Sequence, residues 1–402
     1  MTSTGPQPPT PPEPTPPEPT PPELVQPGSQ PGAPAGWAWA QHPVQEQVVE
    51  TEPLDYHRLL RGVQNYRWWK PLVLLLVAGA YFGVFTIALV MLFVPLSVAI
   101  DPDYATDLAT GAGEVLDTQR PISVLLALSS IIIMIPAVLL AMLTLGMRPV
   151  GRVWSVAAKI RWGLFFRLVG VAVVALIVMN AVGIGAGLIE VAITDPTALT
   201  DPQPLPERDF DVIAALISLA LIIVLVPFQA VAEELVFRGL FMQVIGAWLK
   251  SPWFAILIPS VGFALAHIYD IWGLAAVGLL GGVAAWLTWR TGGLEAAMAI
   301  HIVNNLIVFM ILTSGIAGET AQTTEGGGLA GVIGEIAGLA VFIWLTLAVF
   351  KRGGYGRSRI DLVRVTLPLN GPVSGPLPGA DSGSVPGSVP GPGSASSGGP
   401  HG

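Results

Sequence analysis

A chain this apolar retains few groups able to do chemistry, and three short stretches concentrate them at helical spacing. The first reads Gln229-Ala-Val-Ala-Glu233-Glu234-Leu-Val-Phe-Arg238. In a helix Glu234 and Arg238 stand one turn apart and pair as ions, while Gln229 and Glu233 form a second i, i+4 pair on an adjacent face. Two carboxylates against one guanidinium leave a negative charge unmatched. A carboxylate without its own cation beside a low-dielectric wall holds a proton more tightly, which suits a general base. The same residues also read as a helix end capped by charges at a membrane boundary. The second stretch is Phe263-Ala-Leu-Ala-His267 and the third His301-Ile-Val-Asn304-Asn305. His301 and Asn305 share a helical face, as do Phe263 and His267, whereas Asn304 points about 100° away from Asn305. Ionisable groups in hydrocarbon are costly and persist with a partner or a function. Glu295 and Glu335 are single acids in apolar surroundings, and Glu335 reads as facing a groove or another helix. His42, His57 and His401 fall outside the apolar runs and read as inert.

The elements that must position these groups follow from composition. Of 402 residues, 52% are hydrophobic and 11% charged, with net charge −8 and no cysteine. A soluble domain carries about twice that charged fraction. Without cysteine there is no disulfide scaffold, thiolate metal site or cysteine nucleophile. The 19 Lys and Arg provide no basic footprint for nucleic acid. Uncharged runs long enough to cross a hydrocarbon core of roughly 30 Å occur at Pro71–Ile100, Pro121–Met147, Leu168–Ile189, Val212–Ala232, Ser251–Tyr269, Ile271–Trp289, Leu294–Gly318 and Leu329–Phe350. An all-α polytopic bundle of about eight transmembrane helices is expected.

Loop charge sets the orientation. Arg58, Arg61, Arg67 and Lys70 precede the first span, and Arg148, Arg152, Lys159 and Arg161 follow the second. Arg238 and Lys250 follow the fourth, Arg290 the sixth, and Lys351 and Arg352 the eighth. The loops after the first and third spans are acidic, so both termini are expected in the cytoplasm. Trp68, Trp69, Trp154, Trp162 and Trp289 suit the inner interface. The first apolar run begins too far along for a signal peptide. Residues 1–53 are proline-rich and 353–402 rich in Gly, Ser and Pro, and both read as disordered tails. Between them, 54–210 and 314–352 supply flanking transmembrane helices and 211–313 the core that carries the motifs.

The ordered set Glu-Glu-x-x-x-Arg at Glu233–Arg238, Phe-x-x-x-His at Phe263–His267 and His-x-x-x-Asn at His301–Asn305 resembles the three motifs of the CAAX protease and bacteriocin-processing family of intramembrane endopeptidases, also called the ABI family. The resemblance spans roughly Val212 to Leu312. It implies that Glu233 activates water for attack on a peptide carbonyl, with His267 orienting that water or sharing its proton. Glu234 and Arg238 would be a structural ion pair, and His301 and Asn305 would hydrogen-bond the developing oxyanion. The substrate would be a membrane-associated protein or peptide presented at the lipid bilayer.

Two mechanisms are open at this level. Glu233, His267 and His301 could supply three ligands to a catalytic zinc. Yet the sequence has no His-Glu-x-x-His helix, and the same residues suit metal-free, glutamate-dependent hydrolysis. A non-enzymatic reading also exists, a scaffold or a small-molecule binding or transport protein of the same fold whose polar cluster lines a cavity. Substrate identity and oligomeric state have no signature. Straight helices also pose a problem of height. At 1.5 Å per residue from the expected inner ends, His267 lies about 21 Å along its span, His301 about 10 Å along its own, and Glu233 near the inner boundary. Kinks at Pro227 and Pro259 are expected to reconcile them.

Overall fold

The computed structural model describes residues 44–111, 116–200, 210–316 and 318–368. Residues 1–43, with His42, and residues 369–402, with His401, lie outside the described residues. Within them the chain is a helical bundle: α1 (Lys70–Ile100), α2 (Pro102–Thr110), α3 (Pro121–Ile132), α4 (Met134–Thr144), α5 (Trp162–Thr194), α6 (Val212–Glu234), α7 (Met242–Trp248), α8 (Pro252–Leu265), α9 (Ile271–Thr291), α10 (Glu295–Ser314) and α11 (Gly328–Gly353). Among the described residues, seven helical stretches are long and apolar enough to cross a membrane. Leu76, Met91, Ile177, Ile193 and Leu265 point outward, as side chains facing lipid do. This is an integral multi-pass membrane protein.

The observed spans differ from the expected ones at three places. The second is interrupted at Ile133, between α3 and α4. Pro136 lacks an N–H and crowds the carbonyl four residues back, which explains a break there. The fourth does not end at Ala232. A π-turn over Leu235–Phe241 joins α6 to α7, and the helical stretch Val212–Trp248 runs for 37 residues, about 55 Å. The fifth is shorter than expected. With 14 residues, α8 rises about 21 Å and falls short of the roughly 30 Å of a hydrocarbon core.

The basic end of the bundle is a packed cap, and it draws in residues expected to be tail. Strands β1 (Val44–Glu50) and β4 (Leu362–Pro368) pair antiparallel, as do the short β2 (Leu54–Asp55) and β3 (Ser358–Arg359). A 3-10 turn over Tyr56–Gly62 packs against α7, with Tyr56, Leu59 and Leu60 buried. Arg152, also buried, donates to the carbonyl of Leu59 at 2.6 Å and to Asp361 Oδ2 at 3.1 Å, and Asp361 Oδ1 accepts from Arg359 at 2.7 Å. Glu295 proves to be the buried partner of Arg161, whose Nε and Nη2 reach its two oxygens at 2.9 and 2.6 Å. His57 is buried rather than idle. Its Nε2 lies 3.1 Å from the carbonyl of Lys250, and burial pushes the imidazole below its usual range, against the opposing pull of that hydrogen bond.

The opposite end is held by a strap over residues 318–327. Thr118 donates its N–H and hydroxyl to the carbonyl of Thr320, both at 2.9 Å, and Gln322 N–H donates to Leu116. Asp270 caps α9 through Gly273 N–H at 2.8 Å, donates its own N–H to Thr324 and accepts from Gly326 N–H at 3.2 Å. Gly273 and Gly326 allow this approach: a Cβ on Gly326 would sit 2.4 Å from the backbone nitrogen of Gly273.

Candidate active site

Lengthening α6 through the π-turn removes the problem of height. Glu234 precedes Trp248 by 14 residues, about 21 Å of rise, which equals the rise of α8 from Pro252 toward His267. The third contributor starts inside the bundle. Helix α10 begins at the fully buried Glu295, with Met298 and His301 also buried. His301 is therefore deep although only six residues from the helix start. Pro227 and Pro259 both lie inside their helices, but the convergence comes from where α6, α8 and α10 begin and end.

The geometry at that level is tight. Glu234 Oε1 accepts from Arg238 Nη1 at 2.9 Å and from His301 Nδ1 at 2.7 Å, and all three side chains are buried. Glu233 Oε1 accepts from Gln229 Nε2 at 2.8 Å, and Glu233 Oε2 lies 3.3 Å from His301 Nε2. Asn305 Nδ2 donates to Gln229 Oε1 at 3.1 Å, and Asn304 Nδ2 to Asn305 Oδ1 at 3.3 Å. Both i, i+4 pairs read from the sequence are present. Glu233 Oε2 and Glu234 Oε2 are buried without a hydrogen-bond partner in the protein. The Glu233 side chain retains 12% exposure and that of Glu234 none, which separates the acid able to meet a small molecule from the one sealed in the helix packing. The π-turn that begins at Leu235 is a feature frequent at functional sites.

Phe263 packs against Arg238, His267 and His301. The Arg238 guanidinium lies over its ring, 4.1 Å from the centroid, and the rings of His267 and His301 meet it edge-on at 4.8 and 5.7 Å. A Cβ on Gly281 of α9 would stand 2.8 Å from Arg238 Nη2 and 3.0 Å from the Phe263 ring, so only glycine lets α9 close over the pair. His267 Nδ1 lies 2.8 Å from the carbonyl of Phe263. Only a protonated nitrogen bonds a carbonyl, so in the neutral ring Nε2 carries the free lone pair. The same reasoning puts a proton on His301 Nδ1, facing Glu234. Tyr269, absent from the sequence reading, stacks on His267 with centroids 5.8 Å apart and accepts from Gln322 Nε2 at 3.1 Å.

Two expectations meet different surroundings. Among the described residues, no three His, Asp or Glu side chains gather into a group that could hold a metal ion. Glu233 and His301 touch, but His301 Nδ1 is committed to Glu234, and the zinc set with His267 is not assembled. His301, expected with Asn305 to donate to an oxyanion, has Nδ1 2.7 Å from Glu234 Oε1 and Nε2 3.3 Å from Glu233 Oε2. Glu335 is buried on α11, its Oε1 without a hydrogen-bond partner in the protein. A groove of about 690 Å³ between α5 and α11, lined by Val182, Ile189, Glu190 and Ile333, lies apart from these residues.

With this constellation assembled by α6, α8 and α10, comparison with known proteins bears on its core. Residues 215–307 match the family described as type II CAAX prenyl endopeptidase Rce1-like. The resemblance carried by the three motifs is thus shown over that stretch, which contains every one of them. The chain is also 30% identical over 119 residues to YyaK of Bacillus subtilis (strain 168), a protein described as uncharacterized. That alignment takes in 28% of this chain and 40% of the relative's length. No solved structure matches.

Proposed function

We propose that the protein is an intramembrane endopeptidase of the CAAX-protease type, hydrolysing a peptide bond in a membrane-associated protein or peptide, with both chain ends in the cytoplasm. One observation carries the reading: residues of the first and third motifs meet at Glu233 Oε2, a buried carboxylate oxygen with no hydrogen-bond partner in the protein, and Phe263 of the second motif packs against Arg238 and His301 beside it.

Glu233 takes a proton from water as that water attacks the peptide carbonyl. Gln229 holds the other carboxylate oxygen and so aims Oε2. The proton then passes to His301 Nε2, 3.3 Å away, and the resulting imidazolium is stabilised through Nδ1 by the fixed charge of Glu234. Arg238 keeps Glu234 ionised for that purpose. The second amide hydrogen of Asn305 is then a donor for the tetrahedral oxyanion, a contribution of about 2.7–4 kcal/mol for a preorganised donor, and His301, whose N–H groups face the two carboxylates, acts on it through its positive charge. His267, with Nε2 as acceptor, orients the water. Collapse of the intermediate breaks the C–N bond, and the proton returns through His301 to the departing amine. The mechanism uses the chain's own groups throughout.

The test is a comparison of peptide termini in cells expressing the wild type or Glu233→Gln. New termini that depend on Glu233 support the reading and give both substrate and bond; identical sets of termini overturn it.

A further inference from the structure

We infer that Tyr269 is a positioning residue for His267, and that Gln322 of the 318–327 strap holds Tyr269 in place. The helix carrying His267 is too short to reach the far side of a bilayer, so its last residues leave helical geometry at a depth where backbone needs partners from the protein. The strap supplies them through Asp270, Thr324 and Gly326. It adds one side chain to the site itself, Gln322, whose amide donates to the Tyr269 phenol.

The consequence is a ring held on both faces of the turn. His267 is fixed along its edge by Phe263, through the 4.8 Å ring contact and the 2.8 Å bond to the carbonyl. That bond fixes the tautomer but allows the imidazole to swing about it. Tyr269 stops the swing, because its ring lies within 22° of parallel to the imidazole. The phenol oxygen would have no anchor if Gln322 were lost. The strap also binds residues 116–118, so the orientation of His267 is coupled to a loop distant in sequence.

For catalysis the role rests on the proteolytic reading, but the clamp can be measured without turnover. In purified full-length protein, the rate at which diethyl pyrocarbonate modifies His267 is followed by peptide mass spectrometry, with buried His57 as internal reference. Tyr269→Leu should raise the His267 rate about 2- to 10-fold, the range an aromatic pair contributes, while Tyr269→Phe, which keeps the ring but has no phenol for Gln322 to hold, should raise it less. Gln322→Leu, which leaves the packing of α8 untouched, should raise it as well and serves if Tyr269→Leu fails to fold. In the Glu233-dependent terminus assay the same variants should lower turnover with a shifted pH profile, and Tyr269→Phe and Gln322→Leu, which lose the same hydrogen bond, should match one another. Equal His267 rates in wild type, Tyr269→Leu and Gln322→Leu would overturn the clamp and leave the protease reading intact. A responsive His267 in a protein without Glu233-dependent termini would support the clamp and overturn the protease reading.

Discussion

Replacing Arg238 by Met tests whether the site is held by a buried charge balance. Arg238 and Glu234 are both fully buried and joined at 2.9 Å. The guanidinium also covers the Phe263 face at 4.1 Å. Methionine keeps much of the volume and removes the charge, leaving Glu234 with His301 as its remaining partner. Breaking a buried pair by deleting one member costs about 3–5 kcal/mol, because the other charge stays desolvated. For a domain of a few hundred residues this corresponds to a fall of roughly 6–20 °C in the unfolding midpoint. The double variant Glu234→Gln/Arg238→Met should recover a large part of that loss, since glutamine keeps an oxygen for His301 Nδ1–H without a stranded charge, and the coupling follows from the cycle. The assay is thermal unfolding in detergent of wild type, both single variants and the double variant. An Arg238→Met midpoint equal to wild type, or singles that simply add, would refute the charge-balance argument.

Other expectations can be measured on the same preparations. Glu233→Gln retains the oxygen that accepts from Gln229, so its unfolding midpoint should stay near wild type while turnover at Glu233-dependent termini falls about 10²–10⁴-fold; appreciable residual cleavage would remove Glu233 from the base role. Gly281→Val places a Cβ 2.8 Å from Arg238 Nη2 and should cost about 1–3 kcal/mol by overpacking, with activity lost as the Arg238–Phe263 stack is displaced; an unchanged midpoint would show that α9 has slack there. His57 has its affinity for protons lowered by burial, so its contribution is complete above about pH 6.5, the ordinary imidazole value, and declines as the unfolded chain takes up a proton at lower pH. The unfolding midpoint should therefore drop between pH 7.5 and 5.5, and His57→Gln should flatten that drop.

What could be read from the sequence was local. The Glu234–Arg238 and Gln229–Glu233 pairs are i, i+4 relations, and both occur as expected. The apolar runs gave the spans because the bilayer sets a minimum length for any helix that crosses it. The end of α6 could not be read, since Glu233, Glu234 and Arg238 look like a boundary when their partners are unknown. His301 belongs to another helix and supplies what makes those charges tolerable in mid-helix. The cap was equally hidden. Arg152 and Asp361 are 209 residues apart, and β1 and β4 pair stretches whose composition suggests only spacer. Tyr269 carried no signal either, because its role depends on Gln322, 53 residues later.

The two ends of the bundle explain why the site is assembled at one level. At the basic end, Arg161 and Glu295 pin the start of α10 inside the protein and thereby raise His301 to meet Glu234. At the other end, the strap compensates for the shortness of α8, so that His267 can stop at the same depth instead of continuing to the surface. An α8 of full membrane length would carry its polar C-terminus to the far interface. An α10 that began at the near interface would leave His301 below the acids. The unequal helix lengths are thus the structural basis of the polar cluster, and the residues that make them tolerable, Arg161, Glu295, Asp270 and Gln322, are as necessary to its geometry as the acids and imidazoles themselves.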